Sequence, residues 1–374
     1  MRSLQSTLLL TALATSAAAQ TFVVDINNGP GTDFTEIAAA VAAVPEGAVL
    51  TVRPGGYLPF HIDGKSLALL GGPSVYVAIP FLEPNAIEIT NLASHQSVNL
   101  RSIGIGAPLG VPRISVRNCD GPVVLDNLQI RPDTVTALGG RVVVSDCDHV
   151  LLVGSHLAAR GLWESPIESY NSQLTIDDCY LGSSGLVLRQ GGGRIQVNNC
   201  RIEHENGGPA LVTALLYSTG GEVLLHGDTI LIGQGAEAGL GTGTIVLDPS
   251  TLLLNVTPVP FDPNLTIVQR AIPSLDVMTG PLGGSAVALL EVPAGNTGLL
   301  AVGFPATPYQ VPGVIDPVWI GEGVLRAIGS GPVIAAGYAI PNDPSIRGVS
   351  VRWQGLVLEA GQFLASNVSG YVHY

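Results

Sequence analysis

The sequence predicts an all-β chain in which a parallel β-solenoid is followed by a small antiparallel β-sandwich. Three observations lead to this prediction. Hydrophobic residues make up 46% of the chain but aromatic residues only 5%, with 47 Gly and 27 Pro, which is typical of many short strands. Similar six-residue words recur every 21 to 28 residues between positions 100 and 230. Finally, prolines crowd residues 249–263, which indicates a boundary before a second unit.

The first 20 residues predict a secretory signal peptide. Arg2 gives a positive start, residues 8–14 are mostly apolar, and Ala17-Ala18-Ala19 forms a small-residue cleavage site. Pro and Gly interrupt every later apolar run, so none predicts a transmembrane helix. We therefore expect an exported protein, secreted or extracellular at the cell surface, without a membrane span.

The charge of the chain excludes one class of partner. The net charge is −13, and the chain has a single lysine, Lys65. Proteins that bind nucleic acid need a basic surface to contact phosphates. Nucleic acid is therefore not an expected partner.

The recurring words share a pattern. The first residue is apolar, the second is any residue, and the third is Asn, Asp, Ser or Gly. They begin at Leu100, Leu125, Val153, Ile176, Val197 and Leu225, which are 25, 28, 23, 21 and 28 residues apart. The words at Val116 and Val144 form a second pair, 28 residues apart. Self-similarity at this period is typical of stacked coils. Leucine-rich repeats have a similar period, but their regular LxxLxL frame and a helical segment are missing here.

The segment 33–72 indicates how the solenoid begins. Asp33 and Glu36 predict a capping box for a short helix that ends at Pro45. Its apolar face consists of Ile37, Ala40, Val41 and Val44. Short strands are predicted to follow this helix.

This segment, with VRPGGY at 52–57 and LLGG at 69–72, resembles the N-terminal part of proteins of the pectate-lyase-like superfamily. The resemblance covers roughly residues 21–260 and implies a right-handed parallel β-helix with an N-terminal capping helix over its open end. We accordingly divide the chain into a signal peptide (1–20), a parallel β-helix domain (21–262) and a β-sandwich domain (263–374). The end of the sandwich, IRGVSVRWQGLVLEAGQFLASNVSG, resembles a C-terminal module of exported bacterial proteins.

Residues 146–149 read Asp-Cys-Asp-His, which raises the question of a metal or catalytic cluster. Asp146-Cys147 repeats Asn118-Cys119, and the pattern returns at 178–179 and 199–200. We interpret these residues as ladders, because Asn and Asp tolerate the left-handed turn conformation and buried Cys packs as a small hydrophobe. One Cys per coil also lacks the paired spacing of a zinc site. We predict two neighbouring pairs of buried free thiols, Cys119 with Cys147 and Cys179 with Cys200.

The alternative hypothesis is that Asp146 and Asp178 bind a metal ion. If Asp146 and Asp178 stack, their charges repel each other, and a hard cation such as Ca²⁺ relieves the repulsion. The resemblance also implies Ca²⁺, since pectate lyases hold it with acidic residues on the helix flank. Ca²⁺ is therefore a possible cofactor, and no other cofactor is expected.

The predicted ligand-binding segment is the longest interruption of the repeats, AARGLWESPIESYNS at 158–172. It carries Arg160, Trp163, Glu164, Glu168 and Tyr170. Aromatic rings stack on sugar faces while charged groups bind hydroxyls, and loops on a rigid scaffold concentrate function. The alternative is that the Trp ring only packs the loop onto the solenoid. Residues 203–205 (Glu-His-Glu) either line the same flank or form a solvated turn.

Two functions stay open. The leading hypothesis is an exported β-helix protein that binds polysaccharide or cell-surface glycan without catalysis. The alternative is a polysaccharide-degrading enzyme, above all a lyase. Asp148-His149 matches part of one pectate-lyase motif, but the Trp before it, an Arg-Pro segment and the motifs of polygalacturonases and pectin methylesterases are missing. Carboxylates clustered with an arginine on one exposed flank would favour the enzyme.

Overall fold

The computed structural model describes residues 20–78, 85–106, 113–130, 140–159, 165–205, 214–293 and 295–374. It confirms the all-β fold class: a parallel β-solenoid is followed by small antiparallel sheets. One α-helix, α1 (Ile37–Ala43), and one 3-10 turn (Pro344–Ile346) are the helical elements of these residues. None of the helices in the described ranges is long and apolar enough to cross a bilayer.

The solenoid comprises the first 24 strands. In chain order they are β1 (Thr21–Val24), β2 (Ala48–Val52), β3 (Gly55–Tyr57), β4 (Phe60–Asp63), β5 (Leu67–Gly71), β6 (Val75–Ala78), β7 (Ile87–Thr90), β8 (Val98–Arg101), β9 (Gly104–Gly106), β10 (Arg113–Cys119), β11 (Val123–Asp126), β12 (Gln129–Ile130), β13 (Arg141–Cys147), β14 (Val150–Val153), β15 (His156–Ala159), β16 (Ile167–Asp177), β17 (Tyr180–Ser183), β18 (Leu188–Asn198), β19 (Arg201–His204), β20 (Ala214–His226), β21 (Ile230–Ile232), β22 (Glu237–Leu247), β23 (Leu252–Leu254) and β24 (Leu265–Gln269).

These strands stack into three faces around one core. Face 1 contains β4, β7, β10, β13 and the first halves of β16, β18, β20 and β22. Face 2 contains β1, β2, β5, β8, β11, β14, the second halves of the same four long strands, and β24. Face 3 is a separate nine-stranded sheet of β3, β6, β9, β12, β15, β17, β19, β21 and β23. All of these pairings are parallel.

The recurring words set the register of the stack. Leu100 pairs with Leu125, and Ile176 pairs with Val197, as their alignment predicts. The predicted word at Val153 is wrong by one residue, because Leu125 pairs with Leu152. In a strand a shift of one residue exchanges the two faces, so the fully buried Leu152 is the residue that belongs in the core.

Short polar residues and Gly at the corners of the coil, most of them from the recurring words, form two ladders in the left-handed conformation. Between faces 1 and 2 the ladder is Asn91, Asn118, Asp146 and Asn171, with φ of 57°, 54°, 52° and 47°. Between faces 2 and 3 it is Ser102, Asn127, Gly154, Asp178, Asn199 and Gly227, with φ of 55°, 53°, 56°, 51°, 51° and 59°. The corners of the coil thus explain why these short polar residues recur.

The four cysteines pack inside the solenoid as predicted. Cys119 pairs in register with Cys147, and the backbone N–H of Cys179 lies 3.4 Å from Cys200 Sγ. All four are buried and carry free thiols. The thiols therefore belong to the core.

Helix α1 is present, but the predicted capping box is wrong. The predicted apolar face is buried against the solenoid core. Glu36 occupies the N-cap without capping through its side chain, and it accepts a hydrogen bond from the N–H of Leu58 instead. Asp33 accepts one from the N–H of Val23. Both carboxylates tie the helix segment to strands, and the capping role of the helix stays a prediction.

The C-terminal strands form two antiparallel sheets around a second core. They are β25 (Leu275–Thr279), β26 (Ser285–Glu291), β27 (Thr297–Tyr309), β28 (Val318–Ser330), β29 (Val333–Ala339), β30 (Ser350–Glu359) and β31 (Gln362–Val372). One sheet has the order β25-β26-β29 and the other β28-β27-β30-β31. We call this unit the C-terminal module.

Candidate functional site

The C-terminal module covers face 2 of the solenoid. Val372 packs in one buried cluster with Val124 and Leu151 of face 2. His149 is fully buried beneath Trp319, with ring centroids 4.6 Å apart, and it is hydrogen-bonded to the guanidinium of Arg352. Burial lowers the pKa of Arg352 to about 9. The imidazole of the Asp-Cys-Asp-His segment is thus part of an internal interface, and the outward surfaces of the solenoid are faces 1 and 3.

Face 1 carries a network of charged and aromatic side chains. Strand alternation places Ile167 in the core and directs Glu168 and Tyr170 outward. Arg141, on the neighbouring coil, donates from Nη1 to Glu168 Oε1 at 2.8 Å, and the Tyr170 hydroxyl donates to Glu168 Oε2 at 3.1 Å. Arg189, on the next coil, pairs in register with Glu168. Three successive coils therefore build one network.

The ring of Tyr170 lies across the next coil because Gly191 has no side chain. A Cβ at Gly191 would lie 2.6 Å from Tyr170 Cδ1, so a larger residue would displace the ring. Burial raises the pKa of the Tyr170 hydroxyl, and the charge of Glu168 adds to the effect. The hydroxyl therefore stays protonated and donates to the carboxylate.

Arginine outnumbers acid on the middle strands of this face, from β7 to β18, whereas β4 at one end of the face directs Asp63 outward. On five neighbouring strands of face 1 (β7, β10, β13, β16 and β18), the outward charged side chains are four arginines and two glutamates. They are Arg113, Arg117, Arg141, Arg189, Glu88 and Glu168. Arg117 pairs with Glu88, while no ion pair is formed by Arg113 or Arg189 within the described part of the chain. A chain with a net charge of −13 thus carries a local excess of positive charge at one place.

Face 3 carries a smaller cluster around Tyr180. The His156 ring stacks on the Tyr180 ring with centroids 4.4 Å apart. The Tyr180 hydroxyl lies 3.0 Å from Glu205 Oε1 and 3.4 Å from Glu203 Oε2, and Arg201 Nε donates to Glu203 at 2.9 Å. Burial and the hydrogen bond to Glu205 raise the pKa of Tyr180. The acidic pair of 203–205 therefore lies on a different face from Glu168.

The predicted ligand-binding residues fall into two groups. Glu168 and Tyr170 are brought together, in a strand and not in a loop. Arg160, Trp163 and Glu164 lie outside the described residues, and their role stays a prediction. The network also contains Arg141 and Arg189, which the sequence reasoning did not select.

The two predicted Ca²⁺ ligands occupy different corners of the coil. Asp146 belongs to the ladder between faces 1 and 2 and accepts a hydrogen bond from Asn171 Nδ2 at 3.3 Å. Asp178 belongs to the ladder between faces 2 and 3, and its pKa is raised by burial and by the nearby Asp276. In the ranges that the structure describes, no group of three or more His, Cys, Asp or Glu residues could hold a metal ion.

The missed arginines had a signal in the sequence. Arg113 and Arg141 are 28 residues apart, like the words at Val116 and Val144 that follow them, and they pair in register. Aligning whole coils by register, and not only the words, would have placed Arg141 next to Glu168.

A scan against models of protein families and a search of curated proteins matched nothing.

Proposed function

We propose that this chain is an exported, non-catalytic protein that binds an anionic polysaccharide or cell-surface glycan on face 1. The proposal includes the finer form of the fold, a right-handed β-helix of the pectate-lyase-like superfamily. The observation that carries it is the excess of arginine on the middle strands of face 1, from β7 to β18, around the Glu168–Tyr170 network. Arginine forms paired hydrogen bonds with carboxylates, which uronic acid units of a polysaccharide supply.

The geometry supports an extended ligand. The residues of the network lie on neighbouring parallel strands, which repeat at about 4.8 Å. Their positions are fixed by the coil and by mutual hydrogen bonds, so the binding groups are ordered before the ligand arrives. Tyr217, in register with Arg189 and 37% exposed, continues the row with an aromatic ring. Rings of this kind stack on sugar faces.

Arg189 is the residue that tests the proposal. It forms no ion pair within the described residues and interacts with the Tyr170 hydroxyl, so replacing it removes a donor available to a ligand while the Arg141–Glu168 pair remains. A charge-assisted hydrogen bond contributes about 1.5–3 kcal/mol, so we expect Arg189→Ala to weaken binding about tenfold or more. The melting temperature should change little. Arg326→Ala, an exposed arginine of the C-terminal module, is the matched control.

The measurement is calorimetric titration of the purified protein with polygalacturonate and alginate, with neutral glucan as the comparison, at two salt concentrations. Binding to a polyuronate that weakens with salt and with Arg189→Ala supports the proposal. Equal binding by the parent protein and the variant, or no binding to either polyuronate, overturns it. Release of unsaturated, ultraviolet-absorbing fragments from the polyuronate would instead establish the lyase alternative.

A further inference from the structure

The last coil of the solenoid leaves apolar side chains in solvent. Fifteen large hydrophobic residues are exposed in the described part of the chain, and five of them lie between positions 252 and 268. Ile267 pairs in register with Ile245, which is buried in the core, so the exposure of Ile267 marks the open end of that core. We call the surface of residues 249–269 the open end. Its exposed apolar residues are Leu252, Leu254, Val259, Ile267 and Val268.

Strand β24 has a free edge at this end. Within the described residues it pairs with β22 on one side and with no strand on the other. The N–H of Arg270 donates to the Leu247 carbonyl oxygen at 3.2 Å, so alternation turns the N–H and C=O of Ile267 and Gln269 to the free side. The strand reads Leu-Thr-Ile-Val-Gln and lacks the lysine or proline that usually protects an edge. Its free edge can therefore accept a further strand.

The opposite end of the solenoid is closed, which limits how a second copy can dock. The outer edge of β1 is occupied by residues 33–34. Val24 and Phe34 form a parallel bridge, and the N–H of Asp33 donates to the Val23 carbonyl oxygen at 2.9 Å. Because the first strand has little free edge, a second copy cannot continue the stack head to tail. A tail-to-tail contact is the arrangement that brings two free edges together.

The open end is also a place where two copies can meet without charge repulsion. The chain has a net charge of −13, and a large net charge opposes self-association. Residues 249–269 contain one charged side chain, Asp262, and its carboxylate accepts a hydrogen bond from the N–H of Asn264 at 2.8 Å. In a two-fold contact each surface meets its own copy, so an uncharged strand meets an uncharged strand.

We infer that the open end is a dimer interface, in which β24 of one copy pairs antiparallel with β24 of a second copy. A two-fold axis at Ile267 lets its N–H and C=O exchange both hydrogen bonds with those of the same residue in the second copy. The pairing places Thr266 beside Val268 of the second copy. The exposed end of one core then packs against the exposed end of the other.

The test begins with the mass of the purified parent protein, measured by sedimentation and by light scattering over a series of protein concentrations. We expect the mass to reach that of two chains, and the melting temperature to rise with protein concentration, because association stabilises the folded state. The mass of one chain at every concentration overturns the inference. A growing series of masses, which head-to-tail stacking would give, overturns it as well.

Val268→Lys tests the assignment to β24. A lysine on an edge strand opposes the addition of another strand, and one lysine from each copy places two like charges at the same interface. We expect the dissociation constant of the dimer to rise by about tenfold or more. Thr266→Lys, at another exposed position of β24, is a second variant should Val268→Lys fail to fold.

Val333→Lys is the matched control. Val333 is exposed on β29, which is an edge strand of the C-terminal module. This variant should remain as dimeric as the parent. If Val268→Lys and Thr266→Lys both fold and dimerise like the parent, or if Val333→Lys separates the dimer, the inference is wrong.

Discussion

Asp177 makes the attachment of the C-terminal module to face 2 sensitive to pH. Its side chain is only 3% exposed and accepts hydrogen bonds from Ser369 of the module and from Asn198, the latter at 2.7 Å. Burial nevertheless raises the pKa of Asp177 to about 7, from an ordinary value of 3.8. The folded protein therefore favours the protonated acid, and the charged form is the unfavourable one.

The raised pKa of Asp177 makes the folded protein less stable as the pH increases. Because the folded-state pKa lies above the unfolded-state pKa, the stabilising contribution of Asp177 is complete below about pH 4 and is lost as the pH rises through about 7. A difference in pKa of about 3 corresponds to about 4 kcal/mol of unfolding free energy, since one unit is about 1.4 kcal/mol. This is an upper value, because water that reaches the carboxylate would reduce the penalty.

Asp177→Asn removes the charge and preserves the size of the side chain. The variant should be more stable than the parent protein by about 1 kcal/mol at pH 4.5 and by up to about 4 kcal/mol at pH 8.5. The assay is urea unfolding of both proteins at the two pH values, with the exposed Asp228→Asn as the control for removing one negative charge. A variant that is less stable than the parent at pH 8.5, or a difference that does not depend on pH, would refute the reasoning.

Four further predictions concern the core, the corners, the thiols and the predicted loop. Leu152→Ala should lower the free energy of unfolding by about 2–5 kcal/mol in the same urea assay, because the residue is fully buried, whereas a loss below 1 kcal/mol would contradict its place in the core. Gly193→Ala should lower the free energy of unfolding by about 2 kcal/mol or more, since φ is 73° and the new Cβ would lie 2.2 Å from the Ser172 carbonyl oxygen. The control Gly72→Ala, whose Cβ would have no atom within 4 Å, should have nearly the same free energy of unfolding as the parent. Titration of denatured, unreduced protein should find all four thiols free, and a smaller number would show oxidation. Trp163→Ala should weaken polysaccharide binding by about 1 kcal/mol or more with little change in melting temperature, and a large drop in melting temperature would favour the packing alternative.

Much of the solenoid could be predicted because its pattern is local. Every other residue of a strand is apolar and points into the core, and short polar residues or Gly occupy the left-handed corners. Each coil therefore requires the same residue types at the same positions. The error at Val153 arose where Gly154 replaces the usual Asn or Asp of a word. The Gly-rich segments 191–193 and 220–221 have the composition of turns, but strands β18 and β20 continue through them around the corner. Glycine supports a bend inside a strand as well as a turn between strands.

The chemistry of the surfaces depended on the tertiary structure. Residues such as Asp177 and Arg352 carry the charge of surface residues, and only their contact with partners 192 and 203 positions away in the sequence buries them. The same holds for Asn99, which donates to the Gly348 carbonyl oxygen at a separation of 249 residues. The sequence by itself determined the stacking of the coils, since neighbouring coils follow one another along the chain. Which face the C-terminal module covers, and which residues it buries there, follows from docking between distant segments, which no local pattern encodes.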